Sequence, residues 1–241
     1  MQTKKTAFFF DLDNTLFDYE ASFKKASLFA FRSIYSSGEQ NTKIEEKWFI
    51  HYKYFCDSYW QAYENHRITR EEYQSKRLLS SLRAAGLRNF SHLELQKFQQ
   101  LFEVNIHLFV EPYSWIRDIF QVLTRYEIVY GIITNGSTIV QRNKIKQLQL
   151  HIPDKRIYIS SEIKVAKPSP EIFHLVKENT TACDFYYVGD SYSLDMVPAI
   201  LAKWTAIWWN PLRLSVMNDN NPHHNCYSSN ELIETIKRCI E

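Results

Sequence analysis

Asp11 and Asp13 sit one residue apart at the end of the apolar run Phe8-Phe9-Phe10, the stretch of this chain whose residue types and spacing most directly suggest chemistry. An apolar run so near the N-terminus reads as a buried strand, and in open α/β sheets ligands gather beyond the carboxyl ends of strands. Because a strand alternates its side chains, Asp11 and Asp13 can face one ligand together while Leu12 returns to the core. Two carboxylates this close repel, which raises one pKa unless a cation or a shared proton relieves them. Mg²⁺, a hard ion usually held by one or two carboxylates with waters and substrate phosphate, would supply that relief. One carboxylate can then be a nucleophile toward phosphorus and the other a general acid and base. The competing reading is structural: Asp11 to Asp18 as a solvated loop that caps the next helix, since Asp and Asn favour turns and N-caps.

Such carboxylates need elements to position them, and the chain is long enough to supply these. Its 241 residues, 45% apolar, suit one large domain or a domain with an insert. The net charge is +2 with no long basic run, so composition gives no support to a nucleic-acid or membrane surface, and small partners are expected. Cys56, Cys183, Cys226 and Cys239 are scattered without a C-x-x-C pair, which argues against a disulfide framework or a zinc site and fits reduced thiols in a cytoplasm. The apolar stretch after Lys4 and Lys5 is too short for a signal peptide or a membrane span, so the protein is expected to remain cytoplasmic.

From Tyr19 to about His107 the pattern is helical, with no proline and with Gly38 and Gly86 as breaks. Helices are expected over Tyr19 to Tyr35, Thr42 to Glu64, Thr69 to Ala85 and Ser91 to His107. Thr69 with Glu72 and Ser91 with Glu94 read as capping boxes. After Pro112 helix and strand alternate: helices over Tyr113 to Tyr126, Ser137 to Leu150, Pro170 to Asn179, Leu194 to Ala202 and Asn230 to Cys239. Strands are expected over Ile128 to Thr134, Arg156 to Ser160, Phe185 to Val188 and Thr205 to Trp209. With Phe8 to Phe10 as the first strand, this is a three-layer α/β sheet whose first crossover is replaced by a helical insert.

Three further strand ends carry polar residues on the edge where Asp11 lies. Thr134-Asn135-Gly136 offers a hydroxyl and backbone N–H groups to an anion, although it also reads as an ordinary strand-to-helix turn. Lys167 stands just before a helix N-terminus, where a cation does not stabilise the helix dipole. Anions around it, substrate phosphate or the carboxylates, explain that position, the alternative being a solvated loop lysine. Gly189-Asp190-Ser191 with Asp195 adds two carboxylates, of which Asp190 can instead cap the next helix.

With these four stretches in order, the sequence resembles the haloacid dehalogenase-like hydrolase superfamily. The D-x-D-x-T motif is Asp11, Asp13 and Thr15; the hydroxyl motif is Thr134; the lysine motif is Lys167; and the acidic motif is Gly189, Asp190 and Asp195. The resemblance runs from Phe8 to about Trp209 and implies a Rossmann-like parallel-sheet core, residues 1–17 and 109–241, with a helical cap, residues 18–108. Asn14, where many members have glycine, is similar to a pyrimidine 5'-nucleotidase and sugar-phosphate phosphatase branch. Pro198-Ala199 departs from the usual Gly-Ala.

What the resemblance implies is a two-step phosphoryl transfer on a small phosphorylated metabolite, with a nucleoside 5'-monophosphate as the expected substrate. Asp11 would attack phosphorus to form an aspartyl-phosphate, and Asp13 would protonate the leaving oxygen and then activate water. Mg²⁺ would be held by the Asp11 carboxylate, the Asp13 backbone carbonyl and Asp190. Thr134, the Asn135 N–H and Lys167 would hold the phosphoryl oxygens, with Thr15 and Asp195 in support and Asp195 orienting Lys167 or metal-bound water. The family's dehalogenases typically lack the second aspartate, so Asp13 argues against that activity. A sugar-phosphate phosphatase or a phosphomutase remains an alternative, and a non-catalytic binding protein is a further one. Trp48, Tyr52, Phe55, Tyr59 and Tyr63 fall on one helix face and read as core, whereas Tyr54 or a neighbour is a candidate for stacking on a nucleobase. His151, His223 and His224 read as surface loop residues, and a monomer or homodimer is expected.

Overall fold

The computed structural model describes residues 5–35, 42–65, 67–216 and 221–240. The chain divides into two compact units, Met1–Tyr19 with Val110–Glu241, and Glu20–Phe109. The first is built on a parallel sheet of six strands in the order β3-β2-β1-β4-β5-β6. These are β1 (Thr6–Phe10), β2 (Val129–Thr134), β3 (Ile157–Ile159), β4 (Asp184–Gly189), β5 (Thr205–Trp209) and β6 (His224–Cys226). Its helices are α5 (Ile116–Arg125), α6 (Thr138–Gln147), α7 (Ser160–Ile163), α8 (Glu171–Glu178), α9 (Val197–Leu201) and α10 (Ser229–Ile240); the second unit holds α1 (Tyr19–Arg32), α2 (Thr42–Glu64), α3 (Arg70–Ala84) and α4 (His92–Asn105).

A central parallel strand is buried on both faces, which is why β1 is apolar without interruption. Phe8 and Phe10 face one core layer together with Ile116, Ile119 and Phe120 of α5 and Leu232 and Ile236 of α10. Ala7 and Phe9 face the other, against Ile172, Phe173 and Val176 of α8 and Trp204. β1 pairs with β2 (Phe10 opposite Ile132) and with β4 (Phe10 opposite Val188), so the ends of these three strands lie side by side. The chain winds from β1 through β2 to β3 on one side and returns to β4 on the other. The strand order therefore reverses between β1 and β4, where crevices form in doubly wound folds.

In the helical unit both capping boxes form: the Thr69 hydroxyl accepts from the Glu72 N–H, the Ser91 hydroxyl from the Glu94 N–H, and each glutamate answers. Trp48 and Tyr52 are fully buried. Trp48 stacks on Phe31 at 4.2 Å and on Tyr52 at 4.9 Å, and its indole N–H donates to Ser81 Oγ at 3.0 Å. Phe55, Tyr59 and Tyr63 are only half-buried, whereas Tyr54 is 63% exposed. Gly86 takes φ +74° after α3, a conformation glycine adopts without strain. Gly38, the other expected break, lies outside the described residues.

The structure departs from the sequence reading in three places. The helix expected from Tyr113 starts at Ile116, because Phe17 bridges Pro112 and the Tyr113 N–H donates to the Leu16 carbonyl at 3.2 Å. The helix expected from Leu194 is a π-turn, Tyr192–Met196, followed by the short α9. Pro198 has no N–H to give the Leu194 carbonyl, so a continuous α-helix lacks a rung there. The sixth strand was not expected, since His224-Asn225-Cys226 shows no strand pattern. His224 is therefore a strand residue rather than a loop residue, and His223 Nδ1 accepts the Ala206 N–H at 3.1 Å. Among the described residues no helix is long and apolar enough to cross a membrane.

Gly131 of β2 lets the sheet close over Phe9. A Cβ there would run into the Arg156 carbonyl and the Phe9 ring. Gly131→Ala is expected to lower stability by ~1–3 kcal/mol through overpacking, although alanine is ordinarily the better residue in a strand. A urea midpoint equal to that of the wild type would contradict this close approach.

Candidate active site

Asp11 is the first residue past β1, and its N–H donates to the Val188 carbonyl at 2.8 Å, extending the ladder with β4 by one step. This fixes the backbone that carries the carboxylate. Lys167, on the segment between α7 and α8, reaches in from the far side. Its Nζ donates to Asp11 Oδ1 at 2.6 Å, to Asp195 Oδ1 at 2.6 Å and to the Tyr187 hydroxyl at 2.9 Å. Lys167, Asp11 and Asp195 are all buried. The Lys167 backbone is clamped by the Asn135 side chain, whose Nδ2 donates to its carbonyl at 2.8 Å and whose Oδ1 accepts its N–H at 3.0 Å.

Asp190 follows β4, and its carbonyl accepts the Trp208 indole N–H at 2.7 Å. The Thr15 hydroxyl is buried between it and Asp11, 3.4 Å from Asp190 Oδ1 and 3.5 Å from Asp11 Oδ2. Asp195 is turned inward by the π-turn, and its Oδ2 accepts the Ser191 N–H at 2.9 Å. Gly189 allows this approach, because a Cβ there would lie 2.6 Å from the Asp195 side chain. Asn14 explains its own departure from glycine: it sits at φ +59°, a left-handed conformation that Asn tolerates, and its Oδ1 accepts the Tyr19 N–H at 3.0 Å.

The charges do not balance. Carboxylate oxygens of Asp11, Asp190 and Asp195 lie within 4.8 Å of one another, and Lys167 is the ammonium among them. Burial pushes Asp190 up to about 8, helped by the Asp11 and Asp195 charges. Asp11 is pushed up to about 7 by burial, with Lys167 opposing and Asp195 and Asp13 adding to the rise. Burial works against the Lys167 charge too, yet Asp11 and Asp195 hold its pKa above the ordinary lysine value. This excess of buried negative charge is what a divalent cation relieves, and hard oxygen ligands suit Mg²⁺.

Asp13 stands apart from that cluster. Its carboxylate is held by Lys144 Nζ at 2.8 and 3.0 Å and by Gln141 Nε2 at 3.1 Å, both from α6. Gln141 Nε2 also lies 2.7 Å from the Thr134 hydroxyl and 3.0 Å from the Asn135 carbonyl. The structure thus brings Asp11, Thr15, Lys167, Asp190 and Asp195 into one cluster and joins Asp13 to Thr134 and Asn135 through α6. Gln141 and Lys144 were not anticipated. Their signal was present: with Ile145 and Leu148 they recur at i, i+3, i+4 and i+7, the face a helix buries.

A profile of the haloacid dehalogenase-like hydrolases matches residues 5–202. HAD-hydrolase YfnB of Bacillus subtilis is 27% identical over 205 residues, 84% of this chain and 83% of that protein. Pyrimidine 5'-nucleotidase PynA of Streptococcus pneumoniae is 21% identical over 238 residues, 96% of this chain and 94% of that protein. Among solved structures, magnesium-bound YfnB aligns with TM-score 0.76 at 22% identity, covering 97% of this chain and 99% of that one. A 2-haloacid dehalogenase from Pseudomonas syringae aligns with TM-score 0.59 at 22% identity, covering 98% of this chain and all of that one, at 100%.

The raised carboxylates carry a sign. An unfolded Asp ionises near ~3.9, so below that value the folded and unfolded chains are both protonated and folding carries no penalty. As pH rises toward about 8 the unfolded chain ionises while the folded site resists, and stability falls. In metal-free buffer Asp190→Asn is therefore expected to flatten the fall in melting temperature between acid and alkaline pH. A melting profile parallel to that of the wild type would contradict the charge excess.

Proposed function

The chain belongs to the haloacid dehalogenase-like hydrolases, and we propose that within them it is a magnesium-dependent phosphomonoester hydrolase acting on a nucleoside 5'-monophosphate. The observation that carries this reading is the convergence of Lys167 on Asp11 and Asp195, with Asp190 and the Thr15 hydroxyl beside them. It sits at the edge of the sheet where Thr134 ends β2 and Asn135 follows. A phosphate monoester is a dianion, and a site for it needs a nucleophile, fixed positive charge and N–H donors at one point. The nucleotide preference rests on the likeness to PynA.

In this reading an oxygen of Asp11 attacks phosphorus as the ester P–O bond breaks, and Asp13 gives its proton to the departing oxygen. Asp13 then takes a proton from the water that attacks the aspartyl-phosphate, which returns Asp11 as carboxylate. Lys167, the Thr134 hydroxyl and the Asn135 N–H hold the phosphoryl oxygens. The Asp11 carboxylate, the Asp13 carbonyl and Asp190 would hold Mg²⁺, whose charge would let an anionic nucleophile meet an anionic phosphate. Asp195 keeps Lys167 in place. Dehalogenation is a weaker fit, since displacement of halide at carbon requires neither a second carboxylate beside the nucleophile nor a cation-seeking cluster.

The test is phosphate release from nucleoside 5'-monophosphates and sugar phosphates, with and without Mg²⁺. Wild type is expected to hydrolyse nucleotides faster than sugar phosphates, only with the metal, and Asp11→Asn to fall to background. Equal rates on both ester classes would remove the nucleotide preference. Halide release from 2-haloacids without phosphate release would overturn the phosphatase reading.

A further inference from the structure

We propose that Lys144, together with Gln141, is a positioning residue that sets the Asp13 carboxylate for proton transfer; the inference rests on the phosphatase reading above. A lysine in the last turn of a helix, as Lys144 is in α6, ordinarily runs its stem along the surface and leaves its ammonium in water. Lys144 does the opposite. Its side chain is 3% exposed and its Nζ meets both oxygens of Asp13, whose own side chain is 28% exposed. The Tyr19 ring lies 4.7 Å from the same ammonium and the Phe17 ring 5.8 Å, so aromatic faces back the charge where water would have been.

Burying this ammonium gains little for the fold, because an apolar side chain at a buried position commonly serves stability as well or better. What the pair supplies is orientation. Two contacts from Lys144 and one from Gln141 fix the plane and rotation of the Asp13 carboxylate. The Gln141 amide has two hydrogens to share among Asp13, Thr134 and the Asn135 carbonyl, so it ties the proton-transfer group to the turn that follows β2. Residues 141 and 144 share one face of α6, which makes that helix the common mount for both.

The proton count leaves Lys144 unchanged. In the first step the proton on Asp13 moves to the leaving oxygen as the P–O bond breaks. In the second, Asp13 receives a proton from the attacking water as the bond from Asp11 to phosphorus breaks. Lys144 holds the carboxylate throughout and neither gains nor loses a proton.

The discriminating measurement is kcat/KM, with Mg²⁺ present, for an alkyl phosphate and for p-nitrophenyl phosphate. An alkoxide needs a proton to depart, whereas p-nitrophenolate leaves without one. Misplacing the acid should therefore slow the first ester selectively. Lys144→Met is expected to lose ~10–100-fold on the alkyl ester and less than ~3-fold on the nitrophenyl ester, part of the ~10²–10⁴-fold that general acid catalysis contributes, since the acid is misplaced and not removed. Lys144→Arg is expected to keep most of the alkyl activity, and Gln141→Leu to slow both esters because Thr134 loses its partner too. Circular dichroism checks the fold; should the Met variant not fold, Lys144→Gln serves in the same comparison. Equal losses on both esters in Lys144→Met, or none on either, would overturn the positioning role while leaving the phosphatase reading intact. A wild-type protein inert toward both would overturn the reading itself.

Discussion

One buried ammonium, that of Lys167, holds the site together, since it meets Asp11 and Asp195 at 2.6 Å each and the Tyr187 hydroxyl at 2.9 Å. Its partners come from three separate parts of the chain: the end of β1, the strand β4 and the π-turn after it. Breaking a buried ion pair by removing one partner typically costs about 3–5 kcal/mol, because a charge is left uncompensated. The strands must therefore end in register, the Lys167 backbone must stay in the Asn135 clamp, and Gly189 must stay without a Cβ. Even so, the carboxylates outnumber the ammonium, and burial, with that surplus adding to it, raises both Asp11 and Asp190.

That surplus links the fold to its proposed chemistry. A cluster built only for stability would match each buried carboxylate with a cation. Here Asp190 has burial and like charges working against its ionised form, an arrangement that suits a site completed by a cation and a phosphate. Asp13 is treated differently, with a lysine of its own on α6. Two aspartates one residue apart thus stand in separate electrostatic settings, which is how one pair of like groups can take the roles of nucleophile and proton carrier.

Much of this was legible in the sequence, for physical reasons that differ by residue. Asp11, Thr134 and Asp190 end or follow apolar strands, where polar groups are conspicuous against the runs they terminate, and Lys167 stands out as a cation just before a helix N-terminus. The capping boxes at Thr69 and Ser91 are local hydrogen-bond patterns, readable within a single turn. Gln141 and Lys144 are not legible as site residues in the sequence, because their role depends on which helix face meets the Asp11–Asp18 loop, a tertiary fact. The π-turn was hidden because Pro198 follows a stretch of helical spacing, and only the missing N–H separates it from an ordinary helix. β6 has three residues and no apolar alternation, so the Ile207 to Trp209 edge it pairs with reveals it and its own sequence does not.

Of the two carboxylates that Lys167 holds, Asp11 is the one proposed to take up phosphate. The most direct measurement is to quench the enzyme during turnover of a phosphate monoester with Mg²⁺, reduce any acyl phosphate with borohydride, and locate the altered residue by peptide mass. Reduction of Asp11 to homoserine is expected, dependent on substrate. Phosphate turnover with Asp11 unmodified, or with the label on another residue, would contradict it.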